Sequence, residues 1–149
     1  MSPITIRPIT PHEAAPVRQA VLRPKQTVAQ CVYEHDHDPA ALHLGAFDGE
    51  ALIGVASIMP EACPNEPGPP GYRLRGMAVQ DGFRSLGVGG QLMAGLIAWL
   101  MDQEFNGILW CNARTPARRF YEREGWVAVG EEFDAGVIGP HYRMIRKVP

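Results

Sequence analysis

The stretch that most constrains this chain is Arg73 to Gln91, RLRGMAVQDGFRSLGVGGQ. A strand-like run, Leu74 to Val79, leads into the polar turn Gln80-Asp81-Gly82. Then Arg84-Ser85-Leu86-Gly87-Val88-Gly89-Gly90 opens an apolar helix. A glycine-rich turn between a strand and a helix start is a phosphate cradle: small residues let backbone N–H groups point inward, and the helix N-terminus adds partial positive charge. Arg84 adds a planar, permanently charged fork. No Lys-Ser/Thr follows the last glycine, so the turn is not a P-loop. Position 92, where the dinucleotide fingerprint needs its third glycine, is Leu92, and the turn follows several strand signals rather than the first. A plain glycine-rich connection is the alternative reading.

Composition narrows the class. A chain of 149 residues with 46% hydrophobic and 20% charged residues reads as a single domain, 1–149, with enough chain for a core. The net charge of −2 gives no reason to expect nucleic-acid or anionic-membrane binding. No apolar run has signal-peptide or membrane-span length, so a cytoplasmic protein is expected. Cys31, Cys63 and Cys111 are far apart and in no CxxC pattern, which predicts free thiols and argues against a structural zinc site.

Taken in order, Ile4 to Pro8 reads as a short strand closed by proline. Thr10, Pro11 and Glu13 have capping-box spacing for a helix in which Val17, Ala20 and Val21 share a face, stopped by Pro24. The run Glu34-His35-Asp36-His37-Asp38 reads as a solvated polar loop or a metal cluster; no distant Cys/His pattern supports the metal. Leu42 to Phe47 and Ala51 to Met59 are strands of a hairpin joined at Asp48-Gly49. Pro60 to Gly71, with five prolines and two glycines, breaks pairing before the strand Tyr72 to Val79. Beyond the glycine turn, Val88, Leu92, Leu96, Trp99 and Leu100 recur at helical steps, widened by Met93, Ile97 and Met101, up to Asn106-Gly107. Ile108 to Cys111 is a short strand, and Thr115 with Pro116 starts a helix over Ala117 to Glu124 that stops at Gly125. Trp126 to Val129 and Tyr142 to Val148 are the last strands.

Arg84, Gly87 and Gly89 fit the Gln/Arg-x-x-Gly-x-Gly/Ala pyrophosphate loop of the GNAT superfamily of acyl-CoA N-acyltransferases, which this stretch resembles. A second match lies about thirty residues downstream. Ala117, Tyr121 and Gly125 fit the family's Asn-x-x-Ala-x-x-x-Tyr-x-x-x-Gly-Phe helix, with Trp126 for the Phe and Arg114 for the Asn. Gly139-Pro140-His141-Tyr142-Arg143-Met144 is similar to a segment of an ElaA-like subgroup. The element order is also the family's. The resemblance implies a mixed α/β (α+β) fold: a mostly antiparallel central sheet with helices on both faces.

It also implies a function: transfer of the acetyl group of acetyl-CoA to an amine of a small molecule or peptide, by direct attack through a tetrahedral intermediate. The implied partners are acetyl-CoA and the amine, with no metal, and the chain is expected as a monomer or homodimer. Strand backbone at Met77, Ala78 and Val79 faces the pantetheine and the thioester carbonyl. The loop Arg84, Ser85, Leu86, Gly87, Val88, Gly89 and Gly90 holds the pyrophosphate. Asn112 stands near the missing Asn, and Arg118 near the phosphates. Tyr121 is the family's position for the acid that protonates the thiolate; a phenol near pKa ~10 stays protonated at neutral pH. For the base, His141, Glu131, Glu132 and Asp134 are candidates, and His141 has the suitable ordinary pKa. Arg73, Arg75, Arg119 and Arg123 read as solvated. Two alternatives stay open: a non-catalytic acyl-CoA-binding module of this fold that regulates a partner, and a different nucleotide-phosphate binder sharing only the glycine turn.

Overall fold

The computed structural model describes residues 3–136 and 139–149. Its elements are β1 Ile4–Pro8, α1 Pro11–Leu22, β2 Leu42–Asp48, β3 Ala51–Pro60, β4 Gly71–Val79, α2 Val88–Asp102, β5 Gly107–Arg114, α3 Arg118–Arg123, β6 Val127–Asp134 and β7 Pro140–Val148. This is the expected order and a mixed α/β architecture. The chain forms two compact units: residues 1–60 with 74–99, and residues 61–73 with 100–149. Strand order is β1-β2-β3-β4 in the first and β4-β5-β7-β6 in the second, β4 contributing to both. The pairs β1–β2, β2–β3, β5–β7 and β6–β7 are antiparallel, and β4–β5 is parallel.

In the first unit, Thr10 and Glu13 close the expected capping box at the start of α1: the Glu13 N–H donates to Thr10 Oγ1 and the Thr10 N–H to Glu13 Oε1. Ile9, Ala14, Val17, Phe47, Val55 and Ala78 form the core beside Val21, Leu22 and Leu52. Ala20, expected on the buried face of α1, is exposed; Arg18 is buried in its stead.

That burial is possible because both terminal nitrogens of Arg18 meet acceptors, although its buried Nε has no hydrogen-bond partner among the described residues. Its Nη1 donates to Asp36 Oδ2 at 2.6 Å and to the Cys31 carbonyl at 2.8 Å; Nη2 donates to Asp36 Oδ1 at 3.1 Å and Ser57 Oγ at 2.9 Å. His43 closes the ring. Its Nε2 faces the Asp36 carbonyl at 2.8 Å and so carries the proton, which leaves Nδ1 to accept from the Ser57 hydroxyl at 2.6 Å. The run 34–38 is therefore not simply a solvated loop. Asp36 is anchored in the interior, while His35 and His37 are exposed. Among the described residues no group of three metal-binding side chains forms.

In the second unit Cys63, Ile108, Trp110 and Ile145 pack together. Helix α2 ends at Asp102, earlier than Asn106-Gly107. Glu104 takes φ 57°, the Phe105 N–H reaches the Leu100 carbonyl at 3.0 Å and the Glu104 N–H the Met101 carbonyl at 2.9 Å. This is a Schellman ending with glutamate at the left-handed position. Gly107 instead opens β5, where a Cβ would run into the Pro70 carbonyl oxygen. Met101, expected within the buried stripe, is 50% exposed. Helix α3 is shorter than expected. Thr115 lies in a 3-10 turn, and its hydroxyl donates to Glu132 Oε2 at 2.7 Å rather than capping the helix. Gly125, at φ 90°, ends α3 as the sequence predicts.

Candidate active site

The first unit holds the glycine turn. Arg84 to Leu86 form a 3-10 turn ending at Gly87, whose φ of 77° favours glycine. Helix α2 follows directly, and the Gln91 N–H makes its bond to the Gly87 carbonyl at 3.1 Å. The N–H groups of Val88, Gly89 and Gly90 precede that bond and have no carbonyl within the helix to meet. They form a row of backbone donors at the positive end of a 15-residue helix. The Val88 side chain is fully buried and fixes the start of that row. Arg84 leans back over the strand end: its Nε donates to the Val79 carbonyl at 3.0 Å and its Nη1 pairs with Asp81 Oδ1 at 2.9 Å. Ser85, Leu86 and Gly87 are exposed along the same turn.

Met77, Ala78 and Val79 lie on β4 just before it, past a kink at Gly76, where φ is 65°. A Cβ on Gly76 would stand 2.7 Å from Arg18 Nε, so the kink rests on the buried guanidinium. Neither Gly76 nor Arg18 is marked by the sequence pattern as part of this region.

The second unit holds Tyr121, Asn112, Arg118 and His141. Tyr121 is buried on α3, with its ring edge-on to Phe120 and Trp126, each at 5.2 Å. Its hydroxyl is hydrogen-bonded to the Cys111 thiol of β5. Burial pushes the phenol well above its ordinary pKa, and the neighbouring Cys111 pushes it further the same way. Burial likewise raises the Cys111 thiol, so both groups keep their protons at neutral pH. Arg118 lies 4.4 Å over the Tyr142 ring and 3.4 Å from Glu122.

Successive residues of a strand face opposite ways, so Trp110 and Asn112 lie on the face of β5 away from Cys111. There the register sets Asn112 beside Arg143 and Arg114 beside His141. Asn112 Oδ1 accepts from Arg143 Nε at 2.8 Å. His141 is buried, stacked on Phe133 at 5.9 Å, and its Nδ1 donates to the Gly139 carbonyl at 2.8 Å. That bond leaves Nε2 as the ring's acceptor. Glu131, Glu132 and Asp134 are exposed, and Glu132 is held by Thr115. Arg73 and Arg75 are not free solvated cations: they lie 5.0 Å over Trp110 and 4.3 Å over Tyr33. Arg143, outside the sequence-predicted set, is the residue that ties Asn112 to its surroundings; only its place in the Gly139–Met144 segment pointed to it.

Comparison with known proteins agrees. Residues 10–126 match the model of the acetyltransferase (GNAT) family. The chain is 34% identical over 143 residues to the uncharacterized N-acetyltransferase YitI of Bacillus subtilis, covering 96% of this chain and 95% of that one. Among solved structures it is similar to Escherichia coli ElaA, with a TM-score of 0.77, 20% identity, and 97% and 99% of the two chains covered. An aminoglycoside 6'-N-acetyltransferase complexed with coenzyme A superposes with a TM-score of 0.78 at 15% identity, over 97% of each chain. With a family match over most of its length, the chain belongs to the GNAT family and is an acyl-CoA-dependent N-acyltransferase.

Proposed function

We propose that the donor is acetyl-CoA, the acceptor is an amine of a small molecule or peptide, and residues 1–149 act as one catalytic domain. The observation that carries the reading is the row of N–H donors at Val88, Gly89 and Gly90, opened by Gly87 and flanked by Arg84. It suits a pyrophosphate, with Arg118 as a further phosphate contact and Asn112 as a pantetheine contact. The backbone of Met77 to Val79 pairs with the pantetheine amide, and an N–H near Val79 polarises the thioester carbonyl.

The amine nitrogen attacks that carbonyl carbon, a C–N bond forms, and the tetrahedral intermediate collapses with loss of the C–S bond. His141 takes the amine proton on Nε2, the nitrogen left free by its Nδ1 bond to Gly139. Tyr121 meets the departing thiolate. Its phenol is held well above its ordinary pKa and is protonated at neutral pH. It hydrogen-bonds to the sulfur as charge develops, its proton passes to the sulfur, and the phenolate recovers a proton from water.

Two measurements test this. Acetyl-CoA raises the melting temperature by linkage to the folded state, and ATP does not. Gly89→Val weakens coenzyme A binding more than Ser85→Ala, since a β-branched side chain obstructs the cradle while loss of one hydroxyl spares the backbone donors. Free-thiol release across an amine panel then separates an enzyme from a module that only binds acyl-CoA. A melting temperature moved by ATP but not by millimolar acetyl-CoA overturns the reading.

A further inference from the structure

Trp110 of the second unit is bracketed by two cations. The guanidinium carbons of Arg73 and Arg143 each lie 5.0 Å from its ring centroid. Only Arg73 has an acidic partner, Glu61, at a long 3.4 Å, and its Nε is buried without a hydrogen bond. Arg143 has no carboxylate partner among the described residues. It is held by two neutral amide oxygens instead: Nε on Asn112 Oδ1 and Nη1 on Asn65 Oδ1, both at 2.8 Å. Its Nη2 has no hydrogen bond to any described residue. Two guanidiniums thus face one carboxylate on a half-buried face, a surplus of positive charge. Interior cations are ordinarily matched by acids.

The amides do more than tolerate Arg143. By fixing Nε and Nη1 they lock the plane of the fork and leave its other end presented, which is the arrangement that receives an oxyanion in bidentate fashion. The same face carries His141, two residues along β7, and the Phe133 ring touches both: it stacks on His141 at 5.9 Å and lies 6.0 Å from the Arg143 guanidinium. Two strand residues span about 7 Å. A proton acceptor and an oxyanion receptor therefore stand a short linker apart on one apolar-floored surface.

We propose that Arg143, positioned by Asn112 and Asn65 and assisted by Arg73, binds an oxyanion carried by the acceptor itself, so that the acceptors of this enzyme are amines bearing a nearby carboxylate or phosphate. This rests on the acyl-transfer reading above. The acceptor's anion docks on Arg143, its amine faces His141 Nε2, and the product is the N-acyl derivative of the anionic amine.

The test uses three amines with one two-carbon spacer: β-alanine, β-alaninamide and phosphoethanolamine. Each is assayed with acetyl-CoA by thiol release, in the wild type and in Arg143→Met and Arg143→Lys. The expected wild-type result is kcat/KM at least ten-fold higher for one of the anionic amines than for β-alaninamide; which one is higher tells carboxylate from phosphate. Arg143→Met collapses that preference, and Arg143→Lys restores part of it because it keeps the charge without the fork. Turnover with no preference for the anionic amines overturns the subsite and leaves acyl transfer standing. If no amine turns over, the acyl-transfer reading is what fails, and calorimetric titration with β-alanine and phosphoethanolamine decides the subsite: saturable binding lost in Arg143→Met upholds it, and no saturable binding overturns it. Should Arg143→Met not fold, the wild-type comparison decides alone.

Discussion

Arg18 and Asp36 form a bidentate ion pair with both side chains fully buried, 2.6 Å between Nη1 and Oδ2 and 3.1 Å between Nη2 and Oδ1. Asp36 Oδ2 also accepts the Tyr33 N–H at 2.7 Å, so one carboxylate holds both α1 and its own loop. Replacing Asp36 by alanine leaves a buried guanidinium uncompensated, a change that costs about 3–5 kcal/mol in comparable sites. Urea unfolding of Asp36→Ala is expected to show a loss of that order. A loss below about 1 kcal/mol, the level of an exposed pair, means that Arg18 finds another way out of the interior.

The same network sets the pH dependence of stability. Burial pushes the His43 pKa below 6.5, and the ring stays neutral in the fold. The unfolded chain therefore takes up a proton that the folded chain refuses. Stability is full above the unfolded value and declines as pH falls below about 6.5, at no more than about 1.4 kcal/mol per pH unit. Burial tends to raise the Asp36 carboxyl, but the Arg18 hydrogen bonds and charge outweigh it and hold it below its ordinary value of 3.8. A second decline thus starts below about pH 4, continuing down to the lowered folded value. Unfolding midpoints measured from pH 8 to 3 should show both phases, the first absent in His43→Gln. A wild-type profile flat between pH 7 and 5 contradicts the neutral assignment of His43.

Gly76→Ala is expected to destabilise the first unit on two grounds: φ of 65°, and a new Cβ 2.7 Å from Arg18 Nε. Gly49→Ala is the control, since φ there is 60° but nothing lies within 4 Å of the added atom. Left-handed backbone alone costs about 1–2 kcal/mol for a residue with a Cβ. Gly76→Ala should exceed Gly49→Ala by a further margin in thermal or urea unfolding, because Arg18 has no slack to yield. Equal losses mean that the kink does not depend on Arg18.

Tyr121→Phe keeps the ring against Phe120 and Trp126 and deletes the bond to Cys111. If the hydroxyl serves the departing thiolate, kcat falls at least ten-fold while KM for acetyl-CoA barely changes, the low side of the roughly 10²–10⁴-fold worth of a positioned proton donor. Wild-type kcat in this variant reduces Tyr121 to packing.

Local chemistry made much of the fold legible. The Thr10–Glu13 box, the turn at Gly49 and the stop at Gly125 each depend on residues within a few positions of one another. Departures arose where distance or an atypical residue decided. Arg18 is buried because Asp36, eighteen residues away in a segment with no periodicity, neutralises it. Helix α2 ends on Glu104 rather than on a glycine, so the obvious glycine, Gly107, misplaced its end. In the candidate site, the Arg84–Gly90 turn and Tyr121 are legible as contiguous motifs. The Trp110–Arg143–Asn112 face is assembled from β5 and β7, which are paired through a register no local pattern encodes.

All three thiols, Cys31, Cys63 and Cys111, are free and buried, at 0%, 0% and 3% exposure. Chromogenic disulfide reagents therefore have nothing on the native surface to consume. Turnover can be followed continuously from liberated coenzyme A with the reagent present and without masking the cysteines. When substrate is withheld, the same colour change becomes a clock for opening: Cys31 reports on the first unit, Cys63 and Cys111 on the second, and single-cysteine versions time each unit separately.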